Sequence, residues 1–178
     1  HRDLHSFPTR RSSDLNQKEA KRIKRPRAFY HVLYPGESIT RQADHFLRTC
    51  GSDRPELGYV VDAELSHGLQ GKKLLDAVLS MALVLRKLTD QRIIIYSRSS
   101  WLVEYGSLSA KNPLPAELAE FDWWLAQYLR IPEEHPGPVD LPPGLPREKV
   151  IIHQTADHTP SIGCDLSVSK QMHYNRWQ

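Results

Sequence analysis

The chain has 178 residues, 39% of them hydrophobic and 25% charged, and a formal net charge of +3, which suits one globular domain with a substantial core. No apolar run approaches the roughly 20 residues of a membrane span, so a membrane-spanning protein is not expected. The two cysteines, Cys50 and Cys164, make neither a disulfide scaffold nor a metal-binding spacing. The positive charge is concentrated at the front: residues 16–27 hold six basic and one acidic residue, whereas residues 28–178 hold 15 basic and 18 acidic. The charge therefore makes no case for a nucleic-acid partner, and "KRIKRPR" reads as the solvated end of a helix or loop.

Residues 1–15, "HRDLHSFPTRRSSDL", resemble a translated sequencing-adapter oligonucleotide and are expected to be a non-native tail, with the domain proper at 16–178. "RAFYHVLY" (27–34), rich in aromatic and β-branched residues, is predicted as a strand. "PGESITRQADHFLRTCG" follows as a helix: Ser38 or Thr40 caps it, Ile39, Ala43, Phe46 and Leu47 share one face, and Gly51 ends it. "LGYVVDAEL" is a second strand, "GKKLLDAVLSMALVLRKLTD" a largely buried helix and "RIIIYS" a third strand. "FDWWLAQY" and "KVIIHQT" make the fourth and fifth strands, separated by a stiff loop with six prolines in residues 132–146. "GCDLSV" is a short extension or a sixth strand. Strands alternating with helices early, and lying closer together later, predict an α/β fold with a parallel sheet or barrel. Chemistry in such folds gathers at the C-terminal ends of the strands.

"YVVDAELSHG" (59–68) puts two acids at one such end. Side chains alternate along a strand, so Val60, Asp62 and Glu64 share a face while Tyr59, Val61 and Ala63 share the other. Carboxylates two residues apart lie roughly 6.5–7 Å apart along the strand. Each raises the other's cost of ionising, which favours an acid beside an anion near neutral pH. That pairing suits glycosidic bond cleavage; the plainer reading is a solvated strand end. Other strand ends add Tyr30, His31, Tyr96, Trp124, Gln127, Tyr128, Gln154 and Asp165. Aromatic faces for sugar rings, with amides and acids for hydroxyl groups, make a plausible carbohydrate-binding set, although each aromatic alone also fits core packing.

Seven short motifs, in order from about residue 27 to 170, resemble family 25 glycoside hydrolases, the Chalaropsis-type lysozymes. They are Tyr30-His31, Gln42-Ala43-Asp44-His45-Phe46, Asp62-Ala63-Glu64, Ile95-Tyr96-Ser97, Trp124-Leu125-Ala126-Gln127-Tyr128, Gln154-Thr155 and Asp165-Leu166-Ser167. The resemblance implies an irregular TIM-like β/α barrel. It also implies a muramidase that cleaves the β-1,4 bond between N-acetylmuramic acid and N-acetylglucosamine in peptidoglycan. Glu64 would be the general acid, and Asp62 would stabilise charge by holding the substrate's N-acetyl group. Tyr30, His31, Tyr96, Trp124 and Tyr128 would line the cleft, with Gln154 and Asp165 orienting substrate or the acid pair. No cofactor or metal is implied. The expected partner is bacterial cell-wall peptidoglycan, the expected state of the full-length form a monomer, and the expected setting secreted or phage-encoded.

Three departures stand out. No G-x-D-x-S motif precedes "KRPRAFYH", so residues 16–178 are expected to be a partial catalytic domain lacking its first two strands and their site carboxylate. His153 stands where an aromatic is usual, and Val32 replaces Phe. Two competing readings have distinct signatures. A non-catalytic glycan-binding relative would keep the aromatic cleft but break the acid pair, which is intact here. A metallohydrolase would draw on Asp62, Glu64, His31 and His153, yet no H-x-x-x-H or similar spacing is present. Both cysteines are expected as free thiols, Cys50 at the bottom of the barrel and Cys164 near its top.

Overall fold

Why the strands form is clearest at their middle. "GYVVD" and "IIIYSR" are β-branched and aromatic, and a strand covered on both sides needs that composition. The computed structural model describes residues 18–128 and 138–156, and the backbone of 166–169. Six strands form one sheet in the order β1-β2-β3-β4-β5-β6. They are β1 (Ala28–Val32), β2 (Gly58–Asp62), β3 (Ile93–Arg98), β4 (Asp122–Ala126), β5 (Val150–Ala156) and β6 (Leu166–Ser169). The first five pair in parallel, as expected. β6 instead runs antiparallel to β5, with Gln154 opposite Ser167. Among the described strands, β1 and β6 each have a single neighbour.

Helix α1 (Ile39–Cys50) joins β1 to β2, and α2 (Gly71–Leu88) joins β2 to β3. The Ser38 side chain accepts from the Arg41 N–H to cap α1, and Gly51 ends it at φ 62°. α2 buries Leu74, Leu75, Val78, Met81, Ala82 and Leu85, spaced to form one continuous stripe. Two short helices, α3 (Ser99–Tyr105) and α4 (Ala116–Ala119), follow β3 and were not foreseen from the sequence.

Paired residues of a parallel ladder present their side chains to the same face. His31, Val61, Ile95 and Trp123 lie at one level. Val61, Ile95 and Trp123 join Phe46, Val78 and Met81 in the main core under the helices. Each fully buried aliphatic side chain there contributes about 1.5–3 kcal/mol. On the opposite face, one level runs Tyr30, Val60, Ile94 and Asp122, and the next runs Val32, Asp62, Tyr96, Trp124 and Ile152. Val60 and Ile94 are buried on this side, outside the helix-packed core. This second face, apolar at its base and polar above, carries the acid pair. Gly58 starts β2 at φ 104°, where a Cβ would lie 2.2 Å from the Arg92 carbonyl oxygen, so only glycine fits.

The basic run is not wholly solvated. Arg27 is buried; its guanidinium donates to Glu56 at 2.9 Å and to Asp53 at 2.9 Å, while Lys21 meets Asp53 at 2.9 Å. The Arg27 and Lys21 cations hold the Asp53 carboxyl down at about 2. Cys50 ends α1 as a free thiol just before the start of β2, and Cys164 lies outside the described residues.

Candidate active site

The backbone that carries the two acids is fixed from both sides. Leu33 N–H donates to the Asp62 carbonyl at 2.9 Å, and Ala63 N–H donates to the Tyr96 carbonyl at 2.8 Å. The buried Ser97 hydroxyl donates to the Ala63 carbonyl at 2.7 Å. The peptide between the acids is therefore held by β3, and their shared orientation follows from it. Ser97 has this positioning role without having been singled out; its place in the Ile95-Tyr96-Ser97 motif was the available signal.

Asp62 is the perturbed member of the pair. Burial, and then repulsion from Glu64, push its carboxyl up to about 7, so near neutral pH it retains a proton much of the time. Its Oδ1 is buried without a hydrogen-bond partner among the described residues. Two strands away on the same level, the Trp124 Nε1–H is also buried without a partner among the described residues. Leaving such groups unmatched costs about 1–3 kcal/mol each, and a bound ligand with an acceptor and a donor relieves that cost. Tyr96 sits between them, its ring edge-on to Trp124 at 5.4 Å. Burial first, then the nearby Glu64 and Tyr128, push the Tyr96 phenol above its usual range. It stays a neutral hydroxyl, hydrogen-bonded with Tyr128.

Glu64 lies two residues beyond Asp62, and Arg98 two beyond Tyr96, so the ladder brings them side by side. Arg98 Nε is 3.2 Å from Glu64 Oε1. Arg98 also went unnoticed in the sequence, because only the register of β2 against β3 reveals it. Ala126 pairs with Gln154, which places Gln154 on the same face, largely buried, with its Nε2 donating to the Ala156 carbonyl at 3.3 Å. Tyr30 is on this face at the β1 edge, one level below Asp62, and is half exposed.

His31 does not join this group. It lies on the helix-covered face, 5.6 Å from the Phe46 ring, and its Nε2–H donates to Gln42 Oε1 at 3.1 Å. Burial keeps it below the usual imidazole range and hence neutral. Gln42 also clamps the chain after β1: Tyr34 N–H donates to its Oε1, and its Nε2 donates to the Tyr34 carbonyl, both at 2.9 Å. His153, paired with Leu125, is likewise on the helix side, its Nε2–H donating to the Gln127 carbonyl at 3.1 Å. The two histidines of the metallohydrolase reading therefore point away from Asp62 and Glu64. A surface groove of about 430 Å³ lined by His31, Tyr34, Gln42 and His45, among others, belongs to that outer side. Asp165 lies outside the described residues.

A sheet face with a proton-holding acid, a neighbouring carboxylate and edge-to-face aromatics can bind a polar ring and deliver a proton to it. Residues 10–160 match the family model for glycosyl hydrolases family 25. The fold is similar to the spore cortex lytic enzyme SleM of Clostridium perfringens, with a TM-score of 0.70 and 21% identity over 87% of this chain and 52% of that one. It is similar also to the bacterial lysozyme of Streptomyces coelicolor, with a TM-score of 0.67 and 17% identity over 89% of this chain and 73% of that one. Among curated proteins, the uncharacterized protein YegX of Escherichia coli strain K12 is 28% identical over 111 residues, 62% of this chain and 38% of YegX. The chain thus spans well under half of that relative and about half of SleM.

Proposed function

The chain belongs to glycosyl hydrolases family 25, and from that premise we propose that it is a peptidoglycan hydrolase. The bond cleaved is the β-1,4 link from N-acetylmuramic acid to N-acetylglucosamine. The observation that carries this reading is Asp62, a carboxyl held up to about 7 by burial and by Glu64, at the C-terminal end of a parallel strand and level with Tyr96 and Trp124.

In the reaction Glu64 protonates the glycosidic oxygen as its bond to the muramyl C1 breaks. The leaving sugar departs with a 4-hydroxyl, and water completes the hydrolysis at C1. Asp62, once the pair's proton has passed to Glu64, is the carboxylate that faces the positive charge developing on the muramyl unit and holds its 2-acetamido group. Burial makes that electrostatic contribution larger than it is in water. The Trp124 N–H and Asp62 Oδ1, unmatched among the described residues, are polar atoms that an acetamido-bearing sugar can engage. Tyr96, Tyr128 and Tyr30 supply ring faces and hydroxyls along the same side of the sheet, with Gln154 as a further orienting group; the motif that holds Asp165 would add a carboxylate. Cell-wall peptidoglycan is then the partner, met outside the cell or delivered by a phage; among the described residues no helix is long and apolar enough to cross a membrane.

The test is hydrolysis of purified peptidoglycan. Wild type should release soluble reducing ends. Glu64→Gln, which keeps the shape and removes the proton donor, should lower the rate about 10³-fold with thermal stability unchanged. Binding to walls without any release of reducing ends would instead favour a non-catalytic glycan-binding role.

A further inference from the structure

Arg98 directly follows the Ile95-Tyr96-Ser97 motif and lies outside it. Two independent observations single it out. First, its guanidinium Nε is 3.2 Å from Glu64 Oε1, and both partners are only partly exposed, at 44% and 30%. Second, it occupies the position before α3 that ordinarily caps the helix, yet its side chain makes no cap hydrogen bond. Ser, Thr, Asp or Asn is favoured there, and a cation at a helix N-terminus is opposed by the helix dipole. The local structure of α3 thus gives no reason for an arginine, whereas the carboxylate beside it does.

We propose that Arg98 is a positioning residue of the acid pair: its ion pair orients Glu64 toward the cleft and keeps it ionised in the substrate-free protein, so that the pair's proton resides on Asp62. This rests on the assignment of Asp62 and Glu64 as the reacting acids. The groups facing Glu64 agree with it. From its own strand comes Asp62, buried and prone to hold a proton. From β3 come Tyr96, neutral, and Arg98; from beyond β4 comes Tyr128, hydrogen-bonded with Tyr96; from β1, one level below Asp62, comes Tyr30. Among the described residues on this part of the face, Arg98 is the cation. An opposite charge at this distance favours the ionised carboxylate, and partial exposure screens the effect toward the low end of its range. A bound glycan whose glycosidic oxygen hydrogen-bonds Glu64 competes with that ion pair, and the proton held on Asp62 then passes to Glu64, which uses it as an acid.

The experiment compares wild type, Arg98→Gln and Arg98→Lys in the full chain. It measures the pH dependence of kcat/KM on peptidoglycan, and the titration of the Glu64 and Asp62 side-chain carboxyl carbons by NMR. Without the cation, Glu64 holds a proton to higher pH. Arg98→Gln should therefore move both the basic limb of the rate profile and the Glu64 titration upward by about half to one pH unit. Arg98→Lys should move them less, because it keeps the charge and loses the planar fork. If Arg98→Gln does not fold, Arg98→Lys carries the test, with the same direction and a smaller shift. Unchanged titration and an unchanged rate profile in a folded variant would overturn the proposal while leaving the hydrolase reading intact. A wild type with no hydrolase activity would instead remove that reading, and the carboxyl titration would still decide the part played by Arg98.

Discussion

Asp62→Asn separates the structural cost of this carboxyl from its chemical use. In the folded protein Asp62 ionises at about 7, against 3.8 for an unperturbed aspartate, because of burial first and Glu64 second. Between about pH 4 and pH 7 the folded state therefore binds more protons than the unfolded chain, and stability falls as pH rises through that window. The gap from 3.8 to about 7, at ~1.4 kcal/mol per pH unit, bounds the loss at about 4 kcal/mol above neutrality. Asparagine keeps the shape and cannot ionise. Urea unfolding followed by tryptophan fluorescence should then give equal stabilities for variant and wild type near pH 4. The variant should gain steadily from pH 5 to 7 and level off, up to about 4 kcal/mol ahead, above pH 7.5. The same variant should lose peptidoglycan hydrolysis by about 10²-fold or more, because it can no longer carry negative charge at the muramyl unit. A stability difference that stays flat from pH 4 to pH 8 would refute the placement of an ionisable group in this buried position.

Arg27→Ala should destabilise the fold by about 1–2 kcal/mol in urea unfolding, since it removes the buried guanidinium that joins Asp53 to Glu56, while Lys21 still meets Asp53 and solvent screens Glu56; a loss under about 0.3 kcal/mol would show that the network contributes little. His31→Ala should cost about 1–3 kcal/mol of stability and leave KM for soluble glycan fragments unchanged, whereas a raised KM at full stability would return His31 to the saccharide face. Burial pushes the Cys50 thiol up to about 11, so alkylation at residue 50, read by peptide mass spectrometry at pH 8, should run about 100-fold slower than for a free cysteine. Alkylation at the rate of a free cysteine would contradict the burial of that thiol.

What the sequence disclosed follows from what local pattern encodes. β2 and β3 were legible because their β-branched runs are unambiguous, and α1 and α2 because their apolar stripes have helical spacing. The acid pair was legible from alternation alone. α3, "SSWLVEY", was not: it is short, has no side-chain cap, and its residues favour strand as much as helix. The antiparallel turn of β6 depends on long-range pairing that no local pattern carries. The same applies within the site. Arg98 and Ser97 acquire their roles only from the register of β3 against β2, and Arg27 leaves the solvated basic run only because Asp53 and Glu56 fold back onto it. His31 shows the reverse error. Its motif neighbour Tyr30 faces the acids, but alternation sends His31 to the helix side, where Gln42 and Phe46 hold it.

The most direct test is the identity of the sugar at the new reducing end. Peptidoglycan digested by the wild-type chain, reduced with borohydride and hydrolysed, should yield muramitol as the new alditol. The yield should fall about 10³-fold with Glu64→Gln. Glucosaminitol in its place, or muramitol released equally by the Glu64 variant, would contradict the account.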